Sequence, residues 1–134
     1  MVSIMFEPTK LGSVPVKNRF VHSATYEGMA TEAGEVTDQL LARYQRLAEG
    51  DVGLIIPGGF HVHPLGRTAR HQTGIHTDAM IASLKKLVKA ALQKGSRMAF
   101  QLVHAGGQAK KEVIGQTPIQ PKQKRGAKAP LAAF

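Results

Sequence analysis

Cysteine is absent from this chain of 134 residues, which removes disulfide staples and thiolate metal sites together and fits a reducing compartment. No apolar run approaches the roughly 18 residues that a membrane-spanning helix needs. No secretory leader pattern opens the sequence either, so a cytoplasmic protein without membrane attachment is expected. Acidic residues are scarce, 9 against 18 lysines and arginines, for a formal charge of +9. The surplus is uneven. Lys122, Lys124, Arg125 and Lys128 supply +4 with no acidic neighbour, and 9 less 4 leaves +5 on residues 1–119. Aromatic residues make up only 5% of the chain, and no nucleic-acid-binding motif is present. The basicity therefore reads as a property of the tail, and a nucleic-acid-binding module is the weaker alternative.

What is present is a globular composition, 43% hydrophobic and 20% charged, in a length suited to one modest core. The periodicity alternates in the order β, α, β, α, β. Arg19–His22 is a short apolar run followed by Ser23, Ala24 and Thr25. Thr37-Asp38 is a helix start, and Leu40, Leu41, Tyr44, Leu47 and Ala48 recur at helical spacing up to Gly50, predicting a helix over 38–49. Val52–Ile56 is an unbroken apolar run ended by Pro57-Gly58-Gly59, as a strand covered on both faces would be. A long polar loop, Phe60 to His76, leads to a second helix opening at Thr77-Asp78. That helix carries Ile81, Leu84, Leu87, Val88, Ala91 and Leu92 on one face and stops near Lys94-Gly95. Arg97–Leu102 is the third strand. Upstream, residues 4–6 and 14–16 are expected to pair as a short N-terminal hairpin across Leu11-Gly12 and to plug one end.

Strand and helix units in this order imply a parallel sheet, either doubly wound or part of a (β/α)₈ barrel. The turn after the first strand, Ser23-Ala24-Thr25-Tyr26-Glu27-Gly28, lacks the G-x-G-x-x-G of a dinucleotide-binding fold, so the barrel reading leads. Barrel ligands sit at the C-terminal ends of the strands, where Ser23 to Tyr26, Gly58-Gly59 and Gln101 to Gly107 fall. Gln101 offers a donor and an acceptor side by side, suited to the edge of a planar heterocycle, and glycines let backbone approach a ligand closely. Taken alone, Gln101 reads more readily as a buried amide bonded to backbone, and the glycines equally as turn punctuation. His61 and His63 share one face of an extended segment, but no third ligand stands at a recognisable spacing, so no metal is expected. Arg67 and Arg70 read as solvated loop residues, and Lys85, Lys86 and Lys89 as a solvated helix face.

Three segments in order, Lys17-Asn-Arg-Phe-Val-His-Ser-Ala-Thr-Tyr-Glu-Gly28, Gly53-Leu-Ile-Ile56 with Gly66-Arg67, and Gln101-Leu-Val-His-Ala-Gly106, resemble the Old Yellow Enzyme family of NAD(P)H:flavin oxidoreductases. The resemblance implies the first three βα units of a TIM barrel that binds FMN, takes hydride from NADH or NADPH and reduces a small activated alkene, an enone or enoyl compound. It places Ala24, Thr25 and Tyr26 along the flavin edge, Gly59 close to the ring, and Gln101 on its pyrimidine edge. His104 is a candidate substrate contact from its place in the third motif. Members usually carry arginine where this chain has Gly107. The resemblance divides the chain into a partial barrel domain, 1–119, and a basic tail, 120–134, expected to be disordered and outside the family pattern. The family's catalytic residues fall on later strands, so a truncated chain inactive by itself is expected, with a non-catalytic structural fragment as the alternative. Open strand edges predict a homo-oligomer.

Overall fold

The computed structural model describes residues 3–120. The expected tail, apart from Gln120, lies outside the described residues. Strand β1 (Thr9–Leu11) and strand β2 (Val14–Val16) form an antiparallel hairpin, with Leu11 opposite Val14. This corrects the expected pairing of 4–6 with 14–16, because Ile4–Phe6 is a turn of 3₁₀ helix. Gly12, at φ +60°, and Ser13 make a two-residue turn that sets the register. The hairpin packs at the start of the sheet, where Arg97 Nε donates to the Pro15 carbonyl at 3.1 Å.

Three parallel strands follow, β3 (Val21–His22), β4 (Leu54–Ile55) and β6 (Arg97–Met98), in the spatial order β3-β4-β6. Between β4 and β6 lies β5 (Phe60–His61), which pairs in parallel with β7 (Leu102–Val103). The third strand expected over 97–102 is therefore two short strands, and the long loop begins with a strand. The two ladders differ in register. Leu54 pairs with Arg97 and Phe60 with Leu102, so six steps on one side face five on the other. One extra residue in 56–59 makes a bulge at Pro57-Gly58-Gly59.

Helix α1 (Asp38–Glu49) starts where expected, because the Thr37 hydroxyl accepts from the Leu40 N–H at 3.2 Å and Asp38 complements the positive helix end. Gly50 caps its far end by donating to Arg46, and Asp51, at φ 64°, turns the chain back toward β4. Helix α2 (Ile81–Leu92) follows a 3₁₀ turn over Asp78–Met80. Leu40, Tyr44 and Ala48 of α1 meet Leu84, Leu87 and Ala91 of α2 in one core with Ile55 and Phe60. Full burial of each large apolar member is worth about 1.5–3 kcal/mol. The helices cover the side of the sheet bearing Ile55, while Val21 on the opposite alternation is 52% exposed, as a barrel's inner face would be. A last short helix, α3 (Lys111–Ile114), ends at Gly115 in the left-handed conformation. Among the described residues no helix is long and apolar enough to cross a membrane.

Candidate cofactor site

The C-terminal ends of the parallel strands come together at the bulge. A β-carbon on Gly58 would lie 2.5 Å from the Thr25 carbonyl oxygen, and one on Gly59 would lie 3.2 Å from the Gln101 side-chain oxygen and collide with Val103. Thr25, Gly58-Gly59 and Gln101 thus stand side by side although they come from three chain segments. Only glycine fits at 58 and 59, and the reason is space, since neither adopts a positive φ. Gly58 is buried and Gly59 half-buried, while Thr25 and Gln101 are exposed, giving a packed backbone floor flanked by two exposed polar side chains. The Thr25 hydroxyl donates to the Ser23 carbonyl at 3.3 Å. Ala24, beside it, is half-buried. The site is an open wall. A groove of about 800 Å³ lies elsewhere, along α2 between Ile75 and Phe100.

Two other candidates point away from this floor. Tyr26 is exposed, and its hydroxyl donates to the Arg70 carbonyl, tying the segment after β3 to the long loop, with the ring packed over Gly28. His104 lies over Gly66, its Nδ1 accepting the Gly106 N–H at 3.0 Å, with the His63 ring centroid 6.1 Å away.

Sequence reasoning passed over two residues. The Glu27 carboxylate accepts from the Gly58 N–H at 3.0 Å and from the hydroxyl of Tyr44. Burial first, and this carboxylate second, push the Tyr44 phenol well above its usual pKa of 10. Gln72, 5% exposed, donates through its amide to the Gly59 carbonyl at 2.6 Å and accepts from the Thr68 N–H at 2.8 Å. An acid in a turn of small residues was the one available signal for Glu27. Gln72 carried none, since its partner is thirteen residues away across a folded loop.

That loop is tied down at specific points, although much of it is exposed. His61 bridges to Gly74, and the partly exposed Arg67 donates to the Glu32 carbonyl at 2.6 Å. His61 is buried and its ring stacks on His76 at 4.8 Å. Desolvation, followed by the neighbouring His76 and Arg67, lowers its pKa to about 4. Among the described residues, no group of three or more histidines or carboxylates could hold a metal ion.

Consecutive parallel strands backed by helices, with a glycine floor and a polar rim at their C-terminal ends, define a segment of an α/β barrel. The sequence profile of the NADH:flavin oxidoreductase / NADH oxidase family matches residues 4–133, and the chain belongs to that family. It is 34% identical over 120 residues to a metal reductase of Desulforamulus reducens, covering 90% of this chain and 18% of that protein. It is also 34% identical to an NADPH dehydrogenase of Bacillus subtilis, covering 84% of this chain and 33% of that protein. Old Yellow Enzyme from Pichia sp. superposes with a TM-score of 0.77 at 29% identity, over 84% of this chain and 29% of its own. The chain spans about a third or less of the relatives it matches.

Proposed function

We propose that the floor at Gly58-Gly59 and the rim formed by Thr25 and Gln101 hold the ring of FMN in an NAD(P)H-dependent reductase of small activated alkenes. The observation that carries this reading is the meeting of Gly59 with the Gln101 side-chain oxygen beside Thr25. The residues fit such a group. Two glycines that admit no β-carbon let the strand ends pack closely enough to set Thr25 and Gln101 beside one stretch of backbone, against which a planar ring could lie. Its pyrimidine edge needs a donor and an acceptor together, which the Gln101 amide offers. Ala24 and Thr25 would lie along the flavin edge, with Tyr26 just beyond and turned toward Arg70. His104, over Gly66, is a candidate substrate contact away from that floor.

When bound, FMN supplies the hydride chemistry, from NADH or NADPH to an enone or enoyl compound. The roles assigned to this chain are binding and positioning, with no proton transfer. The exposed apolar residues Val21 and Leu102 belong on a covered face, so self-association in a cytoplasmic setting is part of the same reading. Light scattering behind size-exclusion chromatography should return a mass above one chain.

Titration of FMN with the purified chain, followed by flavin fluorescence, tests the cofactor role. Quenching by the parent chain that weakens about tenfold in Gln101→Ala, as loss of a hydrogen-bonded pair predicts, supports it. Equal quenching by both chains contradicts the assignment. NADPH oxidation with an added enone then distinguishes a working reductase from a fragment that binds flavin without turnover.

A further inference from the structure

We propose that Glu27 and Gln72 are positioning residues that hold the Gly58-Gly59 peptides in place as the floor for the flavin ring, an inference that rests on the cofactor reading above. An extra residue on one strand removes backbone groups from the ladder, and buried backbone N–H and C=O groups without partners are costly. Gly58 is buried and Gly59 half-buried, and two of the backbone groups that leave the ladder are the Gly58 N–H and the Gly59 C=O. Neither is left unpaired. Glu27 takes the first from the segment after β3, and Gln72 takes the second from the long loop on the opposite side of the turn in sequence.

Each brace is itself braced. The Glu27 carboxylate oxygen that accepts from Gly58 also accepts from Tyr44, a fully buried residue of α1. The Gln72 side-chain oxygen accepts from both the N–H and the hydroxyl of Thr68, at 2.8 and 3.1 Å, which fixes its amide nitrogen toward Gly59. Glu27 also presses its second oxygen to within 2.5 Å of where a Gly58 β-carbon would sit, matching the approach of the Thr25 carbonyl. The turn is therefore gripped at its N–H by a charged acceptor and at its C=O by an amide donor. A bulge otherwise free to re-register is fixed with Gly58 against Thr25 and Gly59 against Gln101.

Two readouts on the full chain test this, amide hydrogen exchange at Gly58 and FMN fluorescence quenching. Glu27→Gln keeps an oxygen for the Gly58 N–H and is expected to retain both slow exchange and FMN affinity. Glu27→Ala, with helix content unchanged by circular dichroism, is expected to speed Gly58 exchange and weaken FMN binding by about tenfold each, the effect of one lost buried hydrogen-bond partner. Gln72→Glu, which sets a carboxylate oxygen against the Gly59 carbonyl while keeping the acceptor for Thr68, is expected to weaken FMN similarly, and it carries the test if Glu27→Ala does not fold. The proposal is overturned if Glu27→Ala binds FMN like the parent chain, or if Glu27→Gln and Glu27→Ala lose affinity equally. A parent chain that quenches no FMN defeats the cofactor reading and this proposal with it, whereas normal parent binding with unaffected variants defeats this proposal alone.

Discussion

Gln101 and Gly59 stand face to face across the two halves of the broken ladder, the glutamine oxygen 3.2 Å from the point a β-carbon on Gly59 would occupy. That point is also blocked by the Val103 side chain, so the position tolerates no side chain at all. Gly59→Ala is expected to cost about 1–3 kcal/mol through overpacking and to push Gln101 away from the floor. A urea melt checks the first effect and FMN quenching the second. A variant as stable as the parent would mean that β7 moves aside freely, contrary to a rigid floor.

Stability should depend on pH through His61. Its pKa is about 4 in the folded chain against an ordinary 6.5, because burial and the adjacent His76 and Arg67 disfavour the cation, opposed by the His63 and Gln72 carbonyls. As pH falls, the unfolded chain takes up the proton first. This residue's effect is therefore a loss of stability that grows from about pH 6.5 down to about pH 4 and levels off below. Urea midpoints at pH 7 and pH 5 should fall more steeply for the parent than for His61→Gln. Parallel slopes would show that His61 is not the titrating group.

How much of this was legible in the sequence varies with the range of the interactions involved. Helix α1 matches its expectation residue for residue, because a capping threonine, a helical apolar spacing and a terminal glycine are all local signals. The hairpin was misplaced although its cue was present, since Gly12-Ser13 is a two-residue turn that pairs 11 with 14 directly. The bulge was invisible, because register between 56–59 and 99–101 is decided by tertiary pairing and not by either segment alone. The meeting of the strand ends at Thr25, Gly59 and Gln101 was readable from barrel topology and motif order. Their braces, Glu27 and Gln72, were not, because each acts on backbone belonging to a distant segment.

Tyr26 supplies a separate check on the loop. Its hydroxyl is held by the Arg70 carbonyl, and the loop between β5 and α2 exposes Arg70 to solvent. Tyr26→Phe is expected to increase local opening and to speed tryptic cleavage after Arg67 and Arg70 by a few-fold, with the urea midpoint barely changed. Cleavage at the parent rate would show that this bond contributes little to holding the loop.

The most direct measurement is an amide-resolved nuclear magnetic resonance titration of the ¹⁵N-labelled chain with FMN, which detects weak binding and reports its location. The account predicts shifts concentrated at Thr25, Gly58, Gly59 and Gln101, with Gly12 and the residues of α2 unmoved. Shifts confined to the α2 groove or to lysines and arginines, with those four amides unchanged, would contradict it.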